Sequence, residues 1–158
     1  MSSSPKIDYR SCVGLMVLNK SSEIFTAQRL DFKSTAWQMP QGGIDVGEEP
    51  LEAAFRELEE ETSITKDSVK ILAVSKSWIK YDLPEDLIPM LWNGKYRGQR
   101  QKWFLLKYFG EDSQIDLNTS EPEFSCWRWS DKTQLIKSVV VFKKEVYETV
   151  LEEFSSYL

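Results

Sequence analysis

The chain reads as a series of short apolar runs cut by polar turns. Tyr9 to Leu18 is rich in apolar and β-branched residues and ends in Asn19-Lys20-Ser21-Ser22, which predicts a strand followed by a turn. Glu23 to Leu30 reads as the returning partner of a hairpin. Ala36-Trp37-Gln38-Met39 predicts a short strand stopped by Pro40, and the glycine-rich stretch Gln41 to Gly47 reads as a loop. At Glu49-Pro50 the period changes. Proline suits the first position of a helix and early acids suit its dipole. Leu51, Ala54, Phe55 and Leu58 then recur at helical spacing and predict a buried stripe. Val69 to Tyr81 predicts one long strand, Gln99 to Phe109 another that Gly110 ends, and Phe124 to Trp129 a shorter one. Pro84 to Tyr96 reads as a loop with room for one helical turn. Val141 to Tyr157 reads as a closing helix, with Val146, Val150 and Phe154 spaced for burial. Three strands, a helix, three strands and a helix predict an α/β chain, a mixed sheet with helices on its faces. Residues 1–8 read as a loose N-terminus and 9–158 as one domain.

Composition narrows the chemistry. The 158 residues are 41% hydrophobic and 28% charged, which suits one soluble domain with a sizeable core. There is no histidine. That removes the Ser-His-Asp triad, the Cys-His pair and histidine-ligated zinc. Acid–base work then falls to carboxylates, lysine, tyrosine or metal-bound water. Cys12 and Cys126 fit no metal or redox spacing and read as two small core residues in a reducing cytoplasm. No apolar run reaches the roughly 18–20 residues that cross a membrane, and the polar N-terminus lacks a signal-peptide core. These features predict a cytoplasmic protein with no membrane contact. No obligate protein partner is evident.

Charge patterning picks out one helix. It contains Arg56-Glu57-Leu58-Glu59-Glu60-Glu61. At 100° per residue, Glu57, Glu60 and Glu61 fall within about a hundred degrees of one another, beside the apolar stripe. Glu52, Arg56 and Glu59 fall on the solvated side. Like charges at this spacing each cost a bare helix a few tenths of a kcal/mol. Such a cluster at the edge of a cleft calls for a cation, and an oxygen-only ligand set favours Mg²⁺ or Mn²⁺. The plain alternative is a solvated acidic face.

From Gly42 to Ile64 the chain reads GGIDVGEEPLEAAFRELEEETSI. This resembles the Nudix box, Gly-x5-Glu-x7-Arg-Glu-U-x-Glu-Glu-x-Gly-U, in which U is a bulky aliphatic residue. Gly42, Glu48, Arg56, Glu57, Leu58, Glu60, Glu61 and Ile64 match at the required spacing, and Ser63 stands where the pattern has glycine. Glycine there would close the helix with a positive φ, so serine is expected to cost about 1 kcal/mol or to alter the cap. The resemblance implies a Nudix fold, an α/β/α sandwich with a mixed sheet and a glycine-loop–helix catalytic motif. It implies a hydrolase of nucleoside diphosphate derivatives. Glu57, Glu60 and Glu61 would hold the cations, the Gly42 carbonyl would be a further ligand, and Arg56 would orient the cluster by pairing with Glu48 or a catalytic glutamate.

The likeness extends past this motif. Tyr9-Arg10, Trp37-Gln38-Met39-Pro40-Gln41-Gly42-Gly43-Ile44, Gly98 to Phe104, Pro122-Glu123-Phe124, Trp127-Arg128-Trp129 and Phe142-Lys143 are similar to the bacterial RNA 5′-pyrophosphohydrolase branch, also described as dinucleoside polyphosphate hydrolases. That similarity implies a further metal-binding or catalytic role for Glu123. It implies phosphate contacts for Arg10 and Arg29, and places Gln41 among the substrate-binding residues. Gln99 and Lys102 would face phosphates or a second nucleotide, Phe142 would stack on a base, and Lys143 would touch the phosphate chain. The bland readings are a loop acid for Glu123, surface charge for Arg10 and Arg29, and a core residue for Phe142. Tyr96, Trp103 and the nearby cations suit a single-strand groove, although Trp103, Trp127 and Trp129 also sit in strand patterns that predict burial.

The implied activity is metal-dependent hydrolysis of a pyrophosphate bond, with Glu57, Glu60 or Glu123 as the base. The expected substrate is 5′-triphosphorylated RNA, which loses pyrophosphate to leave a 5′-monophosphate. The alternatives are asymmetric cleavage of a dinucleoside polyphosphate such as diadenosine tetra- or pentaphosphate, and a non-catalytic nucleotide-sensing module. The net charge of −5 does not oppose an RNA partner. Residues 42–64 hold eight acids and one base, a charge of −7, so the other residues carry +2. Lys95 to Lys107 alone holds five bases and no acid.

Overall fold

The computed structural model describes residues 8–30 and 35–158. The loose N-terminus expected for 1–8 lies outside them except at Asp8, which opens the first strand. That strand, β1 (Asp8–Leu18), runs parallel to β6 (Tyr96–Tyr108) from Asp8↔Tyr96 to Leu18↔Lys107. On its other side β1 pairs antiparallel with β2 (Ile24–Arg29) and with β3 (Gln41–Gly43). Between β3 and β6 come α1 (Pro50–Thr62), β4 (Val69–Val74) and β5 (Ile79–Asp82); after β6 come β7 (Phe124–Ser130), α2 (Lys132–Ser138) and α3 (Lys144–Glu153). The mixed sheet runs β4-β6-β1-β2-β7, with β3 added to β1 and β5 to β6.

Alternation along β1 and β6 builds two cores. Val13, Leu15, Val17, Phe104 and Leu106 face one way and bury against Ala53, Ala54 and Leu58 of α1. Met16, Leu18, Trp103 and Leu105 face the other way and bury against Leu135 of α2 and Val146, Tyr147 and Val150 of α3. The result is an α/β/α sandwich. Leu58 is fully buried, which is worth about 2 kcal/mol.

Several local expectations change, each for a physical reason. The strand read over Val69 to Tyr81 breaks at Ser75. Its backbone N–H donates to the Trp103 carbonyl at 2.8 Å while its hydroxyl accepts from the Trp103 N–H at 3.0 Å, so a side chain takes over the ladder and frees the chain to bend. The strand read over Ala36 to Met39 contributes only the bridge Ala27↔Gln38, and the ladder continues in the glycine segment as β3. Helix α2 is not visible in the hydrophobic pattern because it has seven residues. A reciprocal cap closes it: the Asp131 carboxylate accepts from the Gln134 N–H at 2.8 Å and the Gln134 amide oxygen from the Asp131 N–H at 3.1 Å. The closing helix is shorter than expected, with 3₁₀ turns at Val141–Lys143 and Ser155–Tyr157 flanking α3. The loop from Pro84 holds two 3₁₀ turns, Ile88–Met90 and Trp92–Gly94.

Helix α1 starts as expected. Pro50 is its first residue, and Glu49 and Glu52 form a reciprocal cap. Its buried face is Ala53, Ala54, Leu58, Glu61 and Thr62, so the stripe is rotated from the one read through Leu51 and Phe55, which stay partly exposed. Ser63 closes the helix with φ 67°, the conformation that glycine favours. Its hydroxyl donates to the Asp116 carbonyl at 2.7 Å, which offsets part of the strain. The cysteines divide: Cys12 is buried as expected, whereas Cys126 is exposed on β7. Among the described residues, no helix is long and apolar enough to cross a membrane.

Candidate active site

The site is built where α1 crosses the glycine strand β3. A side chain at Gly42 would overlap the Glu57 carboxyl, and one at Gly43 would run into the Arg10 guanidinium. With hydrogens at both positions, an acid and a base approach the backbone from opposite sides.

Arg56 ties helix to strand. Its Nε and Nη2 donate to the two Glu48 oxygens, both at 2.8 Å. Nη2 also donates to the Gly43 carbonyl at 2.9 Å, and Nη1 donates to Glu57 at 2.9 Å and Glu60 at 3.2 Å. This corrects the helical wheel, which put Arg56 on the solvated side. A wheel marks where a side chain leaves the helix, and a long arginine stem reaches well beyond that point. Paired with Arg56, Glu48 has its pKa held down to about 2.

The remaining acids are less well compensated. Burial pushes the Glu57 pKa up to about 7 against the pull of Arg56, and the charges of Glu60 and Glu123 add to the rise. Burial also raises Glu61 well above the carboxylate range, reinforced by Glu123 and Glu57. The Glu61 Oε2 atom is buried with no hydrogen-bond partner. Glu60 differs, with an exposed carboxyl on the Arg56 side. An orphaned carboxylate oxygen, two raised acids and an all-oxygen donor set fit a hard divalent cation. Among the described residues, no three acidic or cysteine side chains stand close enough to form a ready-made cage.

A cleft of about 420 Å³ opens beside these acids. Glu57, Glu123, Gly42 and Gly43 border it. Arg10, whose guanidinium lies against Gly43, and Arg29, Gln41, Gln99, Phe142 and Lys143 line it as well, together with the apolar Leu83, Leu87, Leu91 and Val140. The end of β2 holds the loop before β7 by donating from the Leu30 N–H to the Glu123 carbonyl at 2.8 Å. Phe142 lies in the 3₁₀ turn before α3, half-buried, with its ring 5.8 Å from that of Tyr81. Most of the expected site residues therefore meet in one place.

Three placements differ. Lys102 is not on the cleft wall; strand alternation turns it to the α1 side of the sheet, with Phe104 and Leu106. Glu60 and Glu61 do not border the cleft. Trp103 is fully buried and cannot serve a single-strand groove. It belongs to a relay instead: its Nε1 donates to the Gln101 oxygen at 3.0 Å, and the Gln101 amide donates to Gln99 at 2.7 Å and Gln41 at 3.3 Å. Gln101, and the cleft residues Gln38, Tyr81, Leu83, Leu87 and Leu91, were not singled out from sequence. For Gln101 the signal was present, since period-two alternation puts it on the face of Gln99.

This geometry, carboxylates over a glycine strand beside a cationic cleft, is that of an enzyme for polyanionic substrates, and known proteins agree. The NUDIX domain model matches residues 8–150, and the chain belongs to the Nudix family. An RNA pyrophosphohydrolase of Roseobacter denitrificans is 48% identical over 153 residues, covering 97% of this chain and 96% of that protein. One of a Wolbachia of Drosophila simulans is 54% identical over 154 residues, covering 97% and 93%. In fold, the chain resembles the Escherichia coli dihydroneopterin triphosphate pyrophosphohydrolase at TM-score 0.71 and 18% identity, covering 90% of this chain and 96% of that one. It also resembles a Caenorhabditis elegans Ap4A hydrolase at TM-score 0.65 and 21% identity, covering 92% and 98%. The chain is thus a Nudix pyrophosphohydrolase, and enzymes of this family generally need divalent cations.

Proposed function

We propose that the protein removes pyrophosphate from the 5′-triphosphate end of RNA in the cytoplasm and leaves a 5′-monophosphate. The observation that carries this reading is the mixed lining of the cleft, acids, cations and an aromatic ring together. Glu57 and Glu123 line it together with Arg10, Arg29 and Lys143 and with the Phe142 ring. A chain of phosphates that carries a base offers negative charge to the cations and a ring to Phe142. The RNA pyrophosphohydrolase relatives support the substrate class.

Glu57, Glu60, Glu61, Glu123 and the Gly42 carbonyl would hold Mg²⁺ or Mn²⁺. Such an ion neutralises the phosphates and makes a bound water more acidic. Arg56 holds Glu57 and Glu60 in place while Glu48 keeps Arg56 from turning away. Arg10, Arg29 and Lys143 bind the phosphate chain, with Gln41 and Gln99 oriented through Gln101. Of the three candidate bases, Glu57 and Glu123 border the cleft, whereas Glu60 is turned to Arg56.

A dinucleoside polyphosphate is the second reading. The wall of Leu83, Leu87, Leu91 and Val140 offers apolar surface for another base. Incubating the enzyme with equal concentrations of 5′-triphosphorylated RNA and diadenosine tetraphosphate decides between them. The RNA is expected to give the higher kcat/KM, and a much higher value on the dinucleotide overturns the proposal. A sensing role without chemistry predicts that neither is cleaved.

A further inference from the structure

The cleft has room for a small ligand and not for a polymer. If the substrate is RNA, the chain beyond its first nucleotides must leave by some route. A second groove, of about 480 Å³, shares Tyr81 and Phe142 with the cleft. It wraps the outer edge of β5. Ile79, Tyr81 and Val146 lie on the cleft side of that edge, and Tyr9 and Lys80 on the other.

Beyond the edge, cations lie on aromatic rings. The Lys80 Nζ and the Arg97 Cζ stand 5.1 Å and 5.0 Å from the centre of the Tyr9 ring. The Arg100 Cζ stands 4.2 Å from that of Trp78, and its Nε donates to the Ser11 hydroxyl at 2.9 Å. Lys80 pairs with Arg100 across the ladder, and alternation puts Lys102 on the same face of β6 as Arg100. Acids near this surface include Asp82, which accepts from Arg97 at 3.3 Å and from the Tyr9 hydroxyl, Glu145 on the groove wall, and Glu153, which accepts from the Lys76 N–H at 2.6 Å two positions before Trp78. Cations therefore outnumber acids here. Rings paired with cations along a strand suit single-stranded nucleic acid, where rings stack on bases and cations follow the backbone.

We propose that this face of β5 and β6 carries the single-stranded RNA downstream of the 5′ end, reached from the cleft round the outer edge of β5. The inference rests on the reading of the cleft as an RNA 5′-end site. It gives Lys102 a place, on the path of the chain rather than at the triphosphate.

The test compares kcat/KM on 5′-triphosphorylated RNAs of about two and about ten nucleotides, at about 50 and 200 mM salt. It uses the parent and the double variant Lys80→Glu, Arg100→Glu. Thermal melts check folding, and Lys80→Gln, Arg100→Gln is the milder pair should the first be unstable. The parent is expected to favour the longer RNA at least about fivefold. The variant is expected to lose that preference while keeping the parent rate on the shorter RNA. Loss by the same factor on both lengths, or no loss on either, overturns the proposal. Binding of a ten-nucleotide RNA with a 5′-hydroxyl end, followed by fluorescence anisotropy, separates the two levels. If the parent cleaves no triphosphorylated RNA, the reading of the cleft fails. Equal binding of the 5′-hydroxyl RNA by parent and variant sinks the surface proposal, and weaker binding by the variant sustains it.

Discussion

Two charged regions of this molecule are built on opposite plans. At α1 the acids are drawn inward. Glu61 is buried and Glu57 partly so, their charges oppose one another, and Arg56 links Glu57 and Glu60 to Glu48 and the strand. At the β5–β6 edge the cations point outward and lie across Tyr9 and Trp78. Burial fixes the first group and leaves it in excess negative charge, so it responds to protons and cations. Stacking arranges the second group and leaves it hydrated, so it responds to salt.

The largest expected difference comes from Glu57→Gln. It should lower kcat by about two to four orders of magnitude, the range for removing an acid–base group. The same change deletes a poorly compensated, partly buried charge, so the cation-free melting temperature should stay level or rise. Steady-state rates and melts in chelator check both; a sharp fall in melting temperature would show that Glu57 is mainly a structural partner of Arg56. Next is Arg56→Ala, which strips Glu48 of its paired donor and leaves Glu57 without its counter-charge. Arg56 is about a quarter exposed, so the loss should be about 2 kcal/mol rather than the full cost of a buried pair. Urea unfolding measures it.

Protonation gives a smaller effect whose sign is fixed. Glu57 holds its proton up to about pH 7 in the folded chain and up to about 4.5 unfolded. Its contribution is fully present below pH 4.5 and lost as pH climbs toward 7. Glu48 acts in the opposite sense, its contribution lost as pH falls from about 4.5 toward 2. Melts in chelator should therefore decline between pH 5 and about 7, and added Mg²⁺ should flatten that decline. A rise over the interval contradicts the burial argument. The smallest effect is expected from Ser63→Gly. Relief at φ 67° and loss of the bond to Asp116 nearly cancel, so stability should change by less than about 1 kcal/mol and kcat should not move.

The contrast also explains what could be read in advance. Helix α1 carries its own start signal in Glu49-Pro50, and its carboxylates lie one to four residues apart, so local rules reach them. Arg10, Arg29, Gln99, Glu123 and Phe142 come from five segments, and their convergence in the cleft was legible through family likeness rather than through spacing. Periodicity alone failed where a side chain replaced a backbone partner, as at Ser75, and where glycines formed a strand, as at Gln41–Gly43. It failed at α2 because two turns of helix are held by a cap rather than by a stripe. Lys80 and Tyr9 escaped notice as a pair because 71 positions separate them and the β5–β6–β1 register brings them together.

The unequal cysteines have a practical consequence. Burial pushes the Cys12 thiol up to about 11, whereas Cys126 is exposed on β7, three positions after Glu123. A maleimide dye should therefore attach at Cys126 and spare Cys12. The chain then carries a single labelling handle on the strand that follows the cleft residue Glu123, and substrate binding can be tested by fluorescence without engineering the protein.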